Sequence, residues 1–190
     1  MIAFDPERII RLLLRHKVDF VLVGGFAATL HGSTTVTSDL DICYSREAAN
    51  LERLAAALRE LDVRLRGAPD DLPFKLDARS LRNGLNFTFR TVHGNFDCLG
   101  DPGGGVDYAS LSANADSLDI DGININVASL DDLIRMKRAT GRSKDLIEVE
   151  NLSKLREVRD ELGKDAALSR PPAVARARAR APRPRRARRR

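Results

Sequence analysis

The chain has 190 residues, of which 43% are hydrophobic, and a formal net charge of +5. This length suits one domain with its own core. The positive charge does not describe the whole chain, because residues 169–190 hold ten arginines and no acid, whereas residues 1–168 hold 22 basic and 27 acidic residues. The composition therefore excludes a uniformly basic protein, and we separate an acidic domain, 1–168, from a basic tail, 169–190.

The hydrophobic periodicity predicts alternating helices and strands in the acidic domain. A helix begins at Asp5 and Pro6, which suit its N-cap and first turn, and Ser45 is predicted to cap a long helix. The other predicted elements are strands Phe20–Val23, Asp39–Tyr44, Asn86–Val92, Asn95–Leu99, Asp116–Asp121 and Ile123–Val127, and helices Phe26–Leu30, Asp77–Leu81, one opened by Ser129 and one from Lys144 to about Leu162. Few aromatic residues are available, so we expect an aliphatic core. The Pro-, Ala- and Arg-rich tail has no apolar periodicity and is predicted to be disordered.

The sequence indicates neither a membrane-spanning nor a secretory segment. The longest apolar run, Phe20 to Leu30, is too short and too rich in glycine to cross a bilayer, and the first residues lack a basic region before an apolar one. The only cysteines are Cys43 and Cys98. Cys43 shares the strand face of Asp41, whereas Cys98 lies on the face opposite to Asp97. If Asp41 and Asp97 converge, the two thiols point apart, so we expect free thiols and a cytoplasmic protein.

Two acidic residues open the second predicted strand. Side chains alternate along a strand, so Asp39 and Asp41 share one face while Leu40 and Ile42 point into the core. Carboxylates so close repel one another unless a cation lies between them, and Mg²⁺ takes carboxylates together with substrate phosphates. An Asp-x-Asp alone is also typical of a solvated strand end. A third carboxylate, Asp97 in another strand, would complete a site for two metal ions.

Other residues suit a triphosphate. Gly24 and Gly25 follow the first strand, where they let a ligand approach the backbone and where the next helix presents free N–H groups. Lys137 occupies an inward position of the helix opened by Ser129, either to meet phosphate or to extend from the edge of the core. Lys144 is expected to touch phosphate rather than form a solvated basic turn. For Asp145 we expect only a favourable charge at a helix N-terminus.

The Gly24-Gly25 pair, the later Asp39-Leu40-Asp41 and the third acid Asp97 resemble the signature of minimal nucleotidyltransferases of the polymerase-β superfamily. In more detail, His31-Gly32, Thr37 to Ile42, Met136-Lys137 and Gly141 to Leu146 are similar to the abortive-infection type, which includes toxins of bacterial toxin–antitoxin pairs. The resemblance covers roughly residues 20–155.

The resemblance implies a mixed sheet flanked by helices, two Mg²⁺ ions and a nucleoside triphosphate (NTP). It implies that Asp39 and Asp41 hold both metals, that Asp97 holds the catalytic one, that Gly24 and Gly25 face the phosphates, and that Lys137 neutralises them. We expect a toxin that adds nucleotides to RNA, at the 3′ end of tRNA, with a cognate antitoxin as a further partner. Open alternatives are transfer to a hydroxyl of a protein (a partner or the chain itself), a non-catalytic antitoxin-like binding protein, and a small-molecule nucleotidyltransferase. The arginine tail either binds RNA through phosphates or has no specific role.

Overall fold

A computed structural model describes residues 4–69, 74–120 and 122–168. The tail, 169–190, and its predicted disorder lie outside the described residues. The helices are α1 Pro6–Arg15, α2 Gly24–Leu30, α3 Ala48–Glu60, α4 Ala78–Asn83, α5 Tyr108–Asn114, α6 Leu130–Thr140 and α7 Ser143–Leu168. The strands are β1 Phe20–Val23, β2 Asp39–Tyr44, β3 Arg64–Leu65, β4 Asn86–Thr91, β5 Gly94–Leu99, β6 Asp116–Ile120 and β7 Ile123–Val127. In the described part of the chain, no helix combines the length and the apolar character needed to cross a membrane.

The strands form one mixed sheet of seven strands in the order β3-β4-β5-β2-β1-β7-β6. β2 runs parallel to β5, and β1 runs parallel to β7, whereas the other neighbours are antiparallel. Around the sheet, α3 packs against α1 and α4, and α2 packs against β2 and α6. The expectation of a mixed sheet flanked by helices is therefore confirmed.

The core is mainly aliphatic, but the three largest of its fully buried side chains are aromatic. All four residues of β1 are buried, and β2 buries Leu40 and Ile42 while Asp39 and Asp41 stay partly exposed, which is the alternation that a strand with one polar face requires. The largest fully buried side chains are Tyr44, Phe89, Phe96, Ile9, Leu13, Leu22, Leu40, Ile42, Leu51, Leu54, Leu58 and Leu81. Helix α3 contributes three of these leucines at helical spacing. Cys43 and Cys98 are buried free thiols.

The structure differs from the predicted elements at several points. Ser45 is not the cap of α3, because that helix begins at Ala48 with Glu47 as its N-cap. Helix α2 begins at Gly24 rather than at Phe26, and the short strand β3 was not predicted. Helix α5 was not predicted, although Asp107 and Ser110 form a capping box at its start, with Ser in the place of the more usual Glu or Gln.

Candidate active site

Three aspartates lie together on adjacent strands at the centre of the sheet. Asp39 and Asp41 are two residues apart on β2, so their side chains point to the same side. Asp97 of β5 lies directly beside Asp41, because the two strands are parallel and these residues are in register. Oxygen atoms of the three carboxylates all lie within 4.8 Å of one another. The structure thus brings together the three acids that the sequence singled out.

This set of carboxylates fits a divalent cation. Asp97 Oδ1 is buried and has no hydrogen-bond partner among the described residues, and a buried carboxylate oxygen without a partner is unfavourable unless a cation compensates its charge. All the ligand atoms that the three side chains offer are hard oxygens, which Mg²⁺ prefers over the softer metals.

The electrostatics of the triad disfavour three simultaneous negative charges. Burial, followed by the charges of Asp39 and Asp97, raises the pKa of Asp41 from 3.8 to about 7, against opposing effects of Lys137 and Arg66. Burial also raises the pKa of Asp97. A divalent cation at the triad would favour the ionised carboxylates, so its binding should release protons near neutral pH.

The glycine pair lets helix α2 begin directly against these aspartates. Gly24 has a φ of +71°, and a Cβ at this position would lie 2.0 Å from Asp41 Oδ2. A Cβ on Gly25 would lie 2.9 Å from Thr37 Oγ1, and the hydroxyl of Thr37 donates a hydrogen bond of 2.8 Å to Asp39 Oδ1. The space that a side chain would fill is therefore taken by the carboxylate of Asp41 and by Thr37, the hydrogen-bond partner of Asp39.

Replacing Gly24 by Ala should destabilise the protein by about 1–3 kcal/mol, because an L-residue is strained at this φ and its methyl group would displace Asp41. The rise in melting temperature on adding Mg²⁺ should be lost. Gly122→Ala is the matched control, since Gly122 has a φ of +77°, but among the described residues no atom beyond its chain neighbours lies within 4 Å of the position of a Cβ. A Gly24→Ala protein that keeps the Mg²⁺ response of the control would contradict the close packing of Gly24 against Asp41.

Lys137 lies in the opposite wall of the site, in an ionic cluster of α6 and α7. Its Nζ lies 3.1 Å from Glu148 Oε2 and 3.5 Å from Asp145 Oδ1. Asp145 also accepts hydrogen bonds from the Thr140 hydroxyl, at 2.7 Å, and from Arg142 Nε, at 3.0 Å. The expectation that Asp145 does not pair with Lys137 was therefore wrong. The helix break at Gly141 folds α7 back onto α6, which brings these residues together.

A cavity of about 660 Å³ joins the two walls, a volume typical of small-molecule sites. Its charged lining consists of Asp39, Asp41, Asp97, Asp145, Glu148, Arg66, Lys137 and Arg142, and Gly24 and Gly25 lie at its edge. Leu133, Met136 and Ile147 add an apolar part. The side chain of Lys144 falls outside the described residues, so its contact with a nucleotide stays a prediction.

Two charged residues of the cavity were not predicted. Arg66 directly follows the short strand β3, and its Nη2 donates a hydrogen bond of 2.7 Å to Asp97 Oδ2. Glu148 is buried on α7 and holds Lys137. For Glu148 a signal existed, since it lies one helical turn after Asp145 and therefore on the same helix face. For Arg66 the sequence has no such signal, because it belongs to no motif and follows a strand of two residues.

Comparisons with known proteins support the fold. No protein-family model matches the chain, and no curated protein matches it by sequence. Among solved structures, the lincosamide antibiotic adenylyltransferase LnuA with lincomycin bound matches 82% of this chain and 99% of its own, with 15% identity and a TM-score of 0.55. ANT(2")-Ia in complex with adenylyl-2"-tobramycin matches 85% of this chain and 96% of its own, with 15% identity and a TM-score of 0.51.

The mixed sheet, its helices and these likenesses define a nucleotidyltransferase fold, as the sequence motifs predicted. The Asp-x-Asp strand, the neighbouring third aspartate and the glycine pair occupy one wall of a single cavity in that fold.

Proposed function

We propose that the chain is a Mg²⁺-dependent nucleotidyltransferase, which moves a nucleoside monophosphate from an NTP to an acceptor hydroxyl and releases pyrophosphate. The observation that carries this proposal is the triad Asp39, Asp41 and Asp97, whose carboxylate oxygens lie within 4.8 Å of one another at a cavity large enough for a small molecule.

Asp39 and Asp41 would hold both metal ions, and Asp97 would hold the ion next to the acceptor. When bound, the two cations stabilise the negative charge on the attacking and leaving oxygens. Gly24 and Gly25 leave the backbone open to the phosphates, and Lys137 offers a positive charge to them from the other wall. Asp97 would take the proton of the acceptor hydroxyl as the acceptor oxygen bonds to the α-phosphorus and the bond to pyrophosphate breaks. Positioning and charge stabilisation supply most of the catalysis in such reactions.

For the acceptor, we propose the 3′ hydroxyl of an RNA, specifically of tRNA, in a toxin that a cognate antitoxin protein neutralises. The ten arginines of residues 169–190 support this choice, because arginines neutralise backbone phosphates. The sequence similarity to the abortive-infection type, around Thr37 to Ile42 and Gly141 to Leu146, supports it as well.

A small-molecule hydroxyl is the second candidate acceptor. The size of the cavity supports it, because a volume of about 660 Å³ is typical of small-molecule sites. LnuA and ANT(2")-Ia, which share the fold, were solved with lincomycin and with adenylyl-tobramycin respectively.

Incubation with each of the four α-labelled NTPs, Mg²⁺ and one acceptor at a time tests the proposal. The acceptors are total tRNA, tRNA with a blocked 3′ end, an aminoglycoside, a lincosamide, and no addition. Label that appears on tRNA but not on blocked tRNA is the expected result. Label on an antibiotic establishes the second candidate, and label on protein alone removes both. If no acceptor is labelled and no pyrophosphate forms, the enzymatic proposal fails and an antitoxin-like binding protein remains.

A further inference from the structure

The guanidinium of Arg66 occupies one side of the carboxylate triad. Its Nη2 lies 2.7 Å from Asp97 Oδ2, while the other oxygen of that carboxylate, Oδ1, has no hydrogen-bond partner among the described residues. The backbone of Arg66 is fixed, because its N–H donates to the carbonyl of Thr88 at 2.9 Å. The side chain is 34% exposed and lines the cavity, so it has room to change its partner.

A positive charge at this place has two opposite consequences. It reduces the repulsion among Asp39, Asp41 and Asp97, and so helps to hold the triad together without a metal. It also repels any cation that binds the triad, including one held by the second oxygen, Asp97 Oδ1, because the guanidinium is itself positively charged. Binding of a metal to all three acids therefore has to weaken the contact between Arg66 and Asp97.

We propose that Arg66 is an exchangeable counter-ion that positions both the triad and the nucleotide. Without metal, Arg66 holds Asp97. When metal and NTP enter, Arg66 leaves Asp97 and donates its N–H groups to the phosphates of the NTP, which a planar guanidinium can bind with two parallel hydrogen bonds. The assignment of the anionic ligand as a triphosphate rests on the proposed function, whereas the competition between Arg66 and a divalent cation does not.

The proposed exchange and a purely structural role of the ion pair predict opposite changes in Mg²⁺ binding when Arg66 is removed. If Arg66 only supports β3 against β5, its removal should loosen Asp97 and weaken Mg²⁺ binding. If Arg66 competes for Asp97, its removal should strengthen Mg²⁺ binding and weaken NTP binding. Opposite effects on the two ligands are thus the signature of the exchange.

The experiment measures Mg²⁺ binding in the full chain without nucleotide, from the Mg²⁺ dependence of the melting temperature, and NTP binding with a non-hydrolysable NTP analogue at saturating Mg²⁺. For Arg66→Gln, the Mg²⁺ concentration at half-effect should fall about tenfold, and the dissociation constant of the analogue should rise about tenfold, since each value reflects one charge-assisted contact. Arg64→Gln is the matched control, because Arg64 pairs with Asp62 instead, and it should match the wild type.

Arg66→Lys keeps the positive charge but not the paired donors, and it tests the proposal even if Arg66→Gln does not fold. It should keep the Mg²⁺ response of the wild type and lose NTP affinity about threefold to tenfold. The proposal is overturned if a folded Arg66→Gln protein binds Mg²⁺ as the wild type does, or more weakly. Mg²⁺ binding without any nucleotidyl transfer refutes the proposed function alone, and the absence of a Mg²⁺ response in every variant refutes both.

Discussion

Replacing Asp41 by Asn should abolish nucleotidyl transfer and, at the same time, stabilise the metal-free protein. The loss of activity follows from the proposed role of Asp41, whose carboxylate lies close to those of Asp39 and Asp97 and would hold both metal ions. Removing that charge should reduce kcat by about 10³-fold or more, because several kcal/mol of transition-state stabilisation depend on the metals and every 1.36 kcal/mol changes the rate tenfold.

The gain in stability follows from the raised pKa. Folding raises the pKa of Asp41 from 3.8 to about 7, first because the group is buried and then because Asp39 and Asp97 repel its charge. The folded state therefore holds a proton that the unfolded state releases, and the contribution of Asp41 to the stability of the wild-type protein should fall as the pH rises from about 4 to 7. Above pH 7 this carboxylate is ionised in both states, so the folded protein bears the full cost of burying its charge beside Asp39 and Asp97, a few kcal/mol. Asparagine has no charge to bury, so the variant should avoid that penalty.

Melting curves at pH 5 and pH 8, in the presence of EDTA, measure this difference. At pH 8 the melting temperature of Asp41→Asn should exceed that of the wild type by about 5 °C or more, and at pH 5 the two should differ much less. Asp62→Asn is the control, since Asp62 is exposed and pairs with Arg64 rather than with a residue of the triad. Saturating Mg²⁺ should reverse the order at pH 8, because only the wild type gains from binding. A variant that is less stable than the wild type at pH 8 without metal would contradict the repulsion within the triad.

The parts of the site that the sequence could reveal are those fixed by strand geometry. Asp39 and Asp41 had to share a face because they are two residues apart on a strand, and the apolar neighbours of Asp97 placed it in the same sheet. The bounds of β1 and β2 were also predicted correctly, because β1 is a continuous apolar run and β2 begins with a clear alternation of acidic and apolar residues. Helix α5 could also have been predicted, because Asp107 and Ser110 have the spacing of a capping box.

The remaining part of the site depends on contacts between elements whose relative position no local pattern fixes. Arg66 reaches Asp97 only because β3 pairs with β4 and β4 pairs with β5. Glu148 and Asp145 meet Lys137 only because α7 turns back after Gly141, which adopts the left-handed conformation at the end of α6. The sequence predicted the three aspartates of one wall and Lys137 of the other. It did not predict the ion pairs that Arg66 and Glu148 form with Asp97 and Lys137.

Replacing Lys137 by Met should strongly destabilise the protein. Lys137 is 18% exposed, and its partners Asp145 and Glu148 are 4% and 7% exposed. Oε1 of Glu148 already has no hydrogen-bond partner among the described residues, so the variant leaves a buried carboxylate almost without compensation. Removing one partner of a buried ion pair typically lowers the free energy of unfolding by about 3–5 kcal/mol. Urea denaturation at pH 7.5 should show a loss of this size.

Lys154→Met is the matched control, because Lys154 and Glu150 form an exposed pair on α7, each 67% exposed, and it should lose at most about 0.5 kcal/mol. The double variant Lys137→Met with Glu148→Leu should recover most of the stability, since removing both partners leaves no buried charge from this pair. Its nucleotidyl transfer should stay as low as that of Lys137→Met, because the positive charge that faces the phosphates is still missing. Recovery of both stability and activity in the double variant would show that Lys137 only neutralises Glu148, whereas recovery of stability alone would assign Lys137 to the nucleotide.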